Sequence, residues 1–123
     1  MNRPISTRMH GMIDYAFAAT LIGLPYALGW DGRAARLSIA SGLATLGMSM
    51  LTRYELGVVP LIPMKAHLSM DAAESSMLMS APRMLRGADP APGRVLAVLG
   101  AIGAAVGSMT QTRAPRELAH QYR

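Results

Sequence analysis

The stretch RMHGMIDYAFAATLIGLP, residues 8–25, decides the fold. It is mostly apolar, yet it carries His10 and Asp14 four residues apart. A second stretch, KAHLSMDAAESSMLMSAP, residues 65–82, repeats the layout with His67 and Asp71. A shift of 57 sets Arg8 on Lys65, His10 on His67, Asp14 on Asp71, Leu21 on Leu78 and Pro25 on Pro82. With one inserted residue, Gly29 meets Gly87, Asp31 meets Asp89, Gly42 meets Gly100 and Thr52 meets Thr110. A fixed internal offset marks a repeated structural unit. The chain reads as two copies of a helix–loop–helix hairpin, about 4–53 and 61–112, with a polar tail over 113–123.

Working outward, four apolar segments emerge, at 4–24, 36–52, 63–81 and 94–112. Each approaches the ~20 residues a helix needs to span a bilayer. The second and fourth have cores free of charge, whereas the first holds Asp14 and the third holds His67, Asp71 and Glu74. The expectation is an all-α, single-domain chain of four transmembrane helices, arranged as two hairpins that enter the membrane in the same direction. Such a parallel repeat has its pseudo-two-fold axis along the membrane normal. A soluble four-helix bundle is the competing fold, since mean hydropathy is only +0.26.

Composition supports the membrane reading. Of 123 residues, 51% are hydrophobic and 15% charged, against about 25% charged in an ordinary soluble domain. The net charge is +5, almost all of it from arginine. The basic residues sit in short groups between apolar runs, as in membrane-protein loops, rather than on one nucleic-acid-binding face. No nucleic-acid partner is expected. The absence of cysteine excludes disulfides and thiolate-held metal or iron–sulfur sites. Asp14 interrupts any signal-peptide core near the N-terminus, so no cleaved signal is read.

The turns fit this plan. Pro4 and Pro63 suit the first turn of a helix. Pro25 and Pro82 can end or kink one. Tyr26 and Trp30 are placed as headgroup-level anchors. YELGVVPLIP, residues 54–63, reads as a short interfacial connection between the copies. Arg3, Arg8, Arg53, Lys65, Arg113, Arg116 and Arg123 fall on one side, and Arg33, Arg36, Arg83, Arg86 and Arg94 on the other. The positive-inside rule leans toward cytoplasmic termini in a bacterial inner membrane.

Residues i and i+4 share a helix face. His10 and Asp14 therefore project together, as do His67 and Asp71, at the same depth in each copy. Ionisable groups inside a membrane face the bundle interior and pair with one another. The first reading is a polar clasp of His10, Asp14, His67, Asp71 and Glu74, with imidazole meeting carboxylate within a helix or across the repeat. No cofactor is needed for it. The second reading is ligation, with His10 and His67 holding haem b, a (bacterio)chlorophyll or a divalent metal such as iron, manganese or zinc. The third is proton or ion handling. Glu74 breaks the repeat, because its counterpart is Phe17.

Helices two and four carry small residues four apart: Ser38 with Gly42, Gly103 with Gly107, Ala104 with Ser108. This spacing lets backbones approach, inside the bundle or against a partner. No nucleophile–base set, phosphate loop or dinucleotide fingerprint is present, so a non-enzymatic chain is expected. Its expected partners are the lipid bilayer and other membrane subunits or a second copy.

The pattern His-x-x-x-Asp followed by proline eleven residues on, twice, with LTRYELG at 51–57 and IPMKAHLSMD at 62–71 between, resembles the bacterial SPW-repeat membrane proteins. The likeness covers roughly residues 5–110. It implies a small, duplicated, four-helix membrane fold and no particular activity. The Ser-Pro-Trp tripeptide itself is replaced by LPY at 24–26 and by APR at 81–83.

Overall fold

The computed structural model describes residues 3–87 and 89–121. Among them are six helices and no β-strand. They are α1 (Thr7–Leu28), α2 (Gly32–Met50), α3 (Met64–Met79), the single turn α4 (Ala81–Met84), α5 (Ala91–Ser108) and α6 (Pro115–Gln121). α1 packs chiefly on α2, and α3 on α5. Arg123, counted above among the basic residues of one side, lies outside the described residues.

The helix ends differ from the sequence expectation in instructive ways. α1 begins at Thr7 rather than Pro4, because Ser6 caps it by accepting from the Met9 amide at 3.1 Å. A serine at that position satisfies an amide the helix leaves unpaired. Pro25 neither ends nor breaks α1, which continues to Leu28 and stops at Gly29 in the left-handed region, φ 68°. Proline has no N–H to give to the carbonyl four residues back. That carbonyl, on Leu21, accepts instead from the Ser38 hydroxyl of α2 at 2.6 Å. In the second copy the matching donor position is Leu96, which has no hydroxyl. There α3 stops at Met79, and Pro82 opens α4.

The two hairpins close on each other through contacts that recur at the offset of the repeat. Ile5 bridges Thr110, and its mate Ile62 bridges Thr52. The Ile5 amide donates to Met109 O at 3.0 Å and the Ile62 amide to Leu51 O at 2.7 Å. Gln111 N donates to Ile5 O at 2.9 Å, and Arg53 N to Ile62 O at 2.8 Å. Each hairpin therefore starts its first helix against the end of the other copy's second helix. Glycine makes the packing inside each hairpin close. A Cβ on Gly42 would lie 2.9 Å from Ala18 O, and one on its mate Gly100 would lie 2.7 Å from Ser75 O.

Two of the long helices, α1 and α5, are long and apolar enough to cross a membrane, with mean hydropathy 1.3 and 1.4. Four were expected. α3 has only 16 residues and carries Lys65, Asp71 and Glu74. α2 has 19, but includes Arg33, Arg36 and a stripe of hydroxyls. The arginines and that stripe together lower its hydropathy. Ser38, Ser41, Thr45 and Ser49 recur at helical spacing and all are buried. Their side chains face the bundle while Leu43 and Met50 face out.

The apolar core is correspondingly small. Leu21, Leu78, Ala81 and Leu96 form one cluster, with Phe17 and Trp30 packed against it. Tyr54, Met64 and Ala114 form another. The connection over 54–63 thus differs from a purely interfacial one, since Tyr54 is fully buried while Val58 and Leu61 stay exposed. The tail also folds back. Ala114 is buried, and Glu117 of α6 accepts from the Met64 amide at the start of α3 at 2.8 Å.

Candidate functional site: a buried His–Asp quartet

His10 and Asp14 sit one turn apart on α1, and His67 and Asp71 one turn apart on α3. The crossed closure of the two hairpins brings all four side chains together. His10 Nε2 lies 2.9 Å from Asp71 Oδ2 and 3.2 Å from Asp14 Oδ1. His67 Nε2 lies 2.9 Å from Asp14 Oδ2 and 3.1 Å from Asp71 Oδ2. Nitrogen and oxygen alternate around the group, so each imidazole touches both carboxylates. The shorter contact is in each case the one across the repeat. The rings meet edge to face with centroids 5.3 Å apart.

The outer nitrogens define the protonation pattern. Thr110 Oγ1 gives its hydrogen to Val106 O at 2.6 Å, and Thr52 Oγ1 gives its own to Met48 O at 2.7 Å. A hydroxyl has one hydrogen to donate. Each threonine therefore accepts from the neighbouring imidazole, Thr110 from His10 Nδ1 at 2.8 Å and Thr52 from His67 Nδ1 at 2.6 Å. Nδ1 carries a proton on both rings, an assignment that follows from the hydrogen-bond network. Nε2 then faces the carboxylates either as the N–H of a cationic ring or as the lone pair of a neutral one. His10 Nε2 meets Asp71 in hydrogen-bond geometry. His67 Nε2 is equally close to Asp14 but is misdirected, which leaves this fully buried nitrogen without a hydrogen-bond partner.

Tyr54 completes the surround by donating to Asp14 Oδ2 at 3.0 Å. Burial, with the Asp14 carboxylate beside it, pushes the Tyr54 phenol above its ordinary range, so it remains a donor. Tyr15 OH in turn holds Leu56 O at 2.8 Å, fixing the loop that carries Tyr54.

Glu74 differs from its expected place in the clasp. It lies about one turn along α3 and accepts from Thr45 of α2 at 2.8–2.9 Å, without bonding either histidine. Between it and the quartet is a cavity of about 30 Å³ bordered by His10, Asp14, Asp71 and Glu74. That is the room of about one water. A macrocycle does not fit between rings packed this closely, so the arrangement does not suit haem b or a (bacterio)chlorophyll held between His10 and His67. The four donors lie within 4.8 Å of one another and could hold a metal ion.

The small-residue positions divide. Ser38, Gly42 and Gly103 make contacts within the chain, to Leu21 O, to Ala18 and Ile22, and to Ser75 respectively. A Cβ on Gly107 would meet nothing within 4 Å. With Ala104 and Ser108 it lines an open groove of about 510 Å³ along α3 and α5, with Arg3 and Lys65 at its rim. Thr52, Thr110 and Tyr54 had no assigned role in the sequence reading. The signal was present for the threonines, which align on each other across the repeat. For Tyr54 there was none, because its partner Asp14 is 40 residues away. No family model, curated protein or solved structure matches the chain.

Proposed function

We propose that the chain is a small, non-enzymatic, multi-pass membrane protein. It consists of two tandem helical hairpins, with α1, α2, α3 and α5 as its four membrane-embedded helices, and serves as an accessory subunit of a larger membrane complex. The observation that carries this reading is inverted burial. Among the described residues, the buried side chains include Thr7, His10, Asp14, Ser38, Thr45, Thr52, His67 and Thr110, while Met9, Met12, Leu43, Met70, Val98 and Ile102 are exposed. A soluble bundle hides its apolar stripe, whereas a membrane bundle turns polar groups inward and leaves apolar ones on lipid. Only 28% of the apolar window of α1 and 22% of that of α5 is buried, unlike the core helix of a soluble protein.

Within this reading the quartet is a lock. It joins the copies at the one depth where both helices carry His and Asp. The resemblance to SPW-repeat membrane proteins agrees with it. The arginine distribution leans toward cytoplasmic termini in a bacterial inner membrane. The open seam at Gly107 is the face offered to a neighbouring subunit, because small residues let a second backbone approach.

The test is a native gel of the protein gently extracted from its own membrane. The wild type migrates in an assembly larger than the chain, and Gly107→Leu releases it while leaving the thermal transition of the chain in place. Extraction into the aqueous fraction without detergent would reject the membrane reading. Migration as a lone chain, or normal assembly of the Gly107→Leu variant, would reject the seam.

A further inference from the structure

We propose that the quartet is a binding site for one divalent first-row transition ion. His10 Nε2, His67 Nε2 and one carboxylate oxygen each of Asp14 and Asp71 are the ligands. The proposal rests on the reading of the quartet as the lock between the copies, and says what closes that lock.

Donor geometry comes first. Four tetrahedral ligands about 2.1 Å from an ion stand about 3.4 Å apart. The N···O contacts here are 2.9, 3.2, 2.9 and 3.1 Å, Asp14 turning a different oxygen to each ring, and one donor atom from each residue lies within 4.8 Å of the others. Turning the Asp14 carboxylate to face both rings with one oxygen, with shifts on the order of an ångström among the donors, seats the ion. The neighbouring 30 Å³ cavity leaves space for a water as a further ligand.

Independently, the ring nitrogens are set for ligation. Thr110 and Thr52 hold the proton on Nδ1 and turn Nε2 inward. His67 Nε2 is buried and lies 2.9 and 3.1 Å from oxygens of Asp14 and Asp71 without a well-directed hydrogen bond to either, as suits a lone pair that shares an ion with them. Metal-bound histidines characteristically donate their other N–H to an acceptor, and bound carboxylates are themselves hydrogen-bonded. The first condition holds for both rings, and the second for Asp14, through Tyr54.

Charge balance also agrees. Two carboxylates with two imidazolium rings are neutral. Two carboxylates with two neutral rings and one divalent ion are neutral as well. The ion enters as two Nε2 protons leave, and no uncompensated charge is buried. Two imidazoles with two carboxylates select an ion of the zinc, iron(II) or manganese(II) kind over calcium or magnesium, which favour all-oxygen shells.

Cobalt(II) is the probe. Wild-type protein in lipid nanodiscs, stripped with a chelator, is titrated with Co²⁺ and followed by visible absorption and metal analysis. The expected result is one ion per chain with d–d bands of a low-coordinate site, both lost in His10→Ala/His67→Ala. Thr52→Val/Thr110→Val keeps all four ligands and removes the acceptors on Nδ1, together with the hydroxyl bonds to Met48 O and Val106 O. It should bind on the order of 10–100-fold more weakly. Wild-type protein that takes up no Co²⁺, or retains it equally in the histidine double variant, overturns the site. If the histidine variant does not fold, unchanged affinity in the threonine variant overturns it. A metal-free wild type whose thermal stability still depends on the four side chains would reject the ion and leave the proton-closed lock standing.

Discussion

Thr52 and Thr110 show how much a single hydroxyl hydrogen decides. Each gives it to a carbonyl four residues back in its own chain and so must accept from a histidine. That choice fixes which face of each imidazole meets the carboxylates. Tyr54 works on the other partner, holding Asp14 from outside the quartet. Tyr54→Phe removes this hydrogen bond with little change in volume. It should cost about 1–3 kcal/mol, since a buried carboxylate loses a donor. Thermal unfolding in detergent checks this, and an unchanged transition would mean that Asp14 is satisfied without it. The four quartet residues were legible in the sequence because a repeat and an i,i+4 spacing both mark them. Glu74 was misplaced because sharing a helix face to within one turn does not specify the neighbour. Thr45 on α2 takes it instead.

Helices α1 and α3 begin alike and end differently, and the cause is one residue on a neighbouring helix. Pro25 leaves the Leu21 carbonyl free, and Ser38 satisfies it, so α1 runs on. The position matching Ser38 in the second copy is Leu96, and the helix breaks at Ser80 before Pro82. Ser38→Ala should therefore strand a buried carbonyl and destabilise the chain by about 1–3 kcal/mol. Helicity should be lost around Pro25. Amide exchange of residues 26–28, faster in the variant than in the wild type, is the signature. Unchanged protection there would show that the carbonyl finds another donor. From sequence, Pro25 and Pro82 looked equivalent. What separates them is a tertiary hydrogen bond, which local patterning does not encode. α2 falls short of a span for a similar reason, because its inward hydroxyls, with Arg33 and Arg36, lower its hydropathy.

At the scale of the whole molecule, the two copies cross. Each first helix begins against the other copy's second helix, through the bridges Ile5–Thr110 and Ile62–Thr52. The offset read from the sequence aligned these residues without showing that they exchange partners, since a repeat specifies equivalence but not contact. The crossing gives each histidine a threonine from the opposite copy and a carboxylate from both. The polar centre thus joins the hairpins alongside the bridges and the Leu21, Leu78 and Leu96 cluster. The most direct measurement is a double-mutant cycle on His10 and Asp71, the closest pair across the copies in hydrogen-bond geometry. It is read by thermal or denaturant unfolding in a fixed lipid nanodisc. Each single change to alanine should cost about 3–5 kcal/mol, because it leaves buried charge uncompensated. The double change should cost less than their sum by about 0.5–3 kcal/mol, the signature of groups in contact. Strictly additive losses, or variants as stable as the wild type, would contradict the claim that this quartet holds the two copies together.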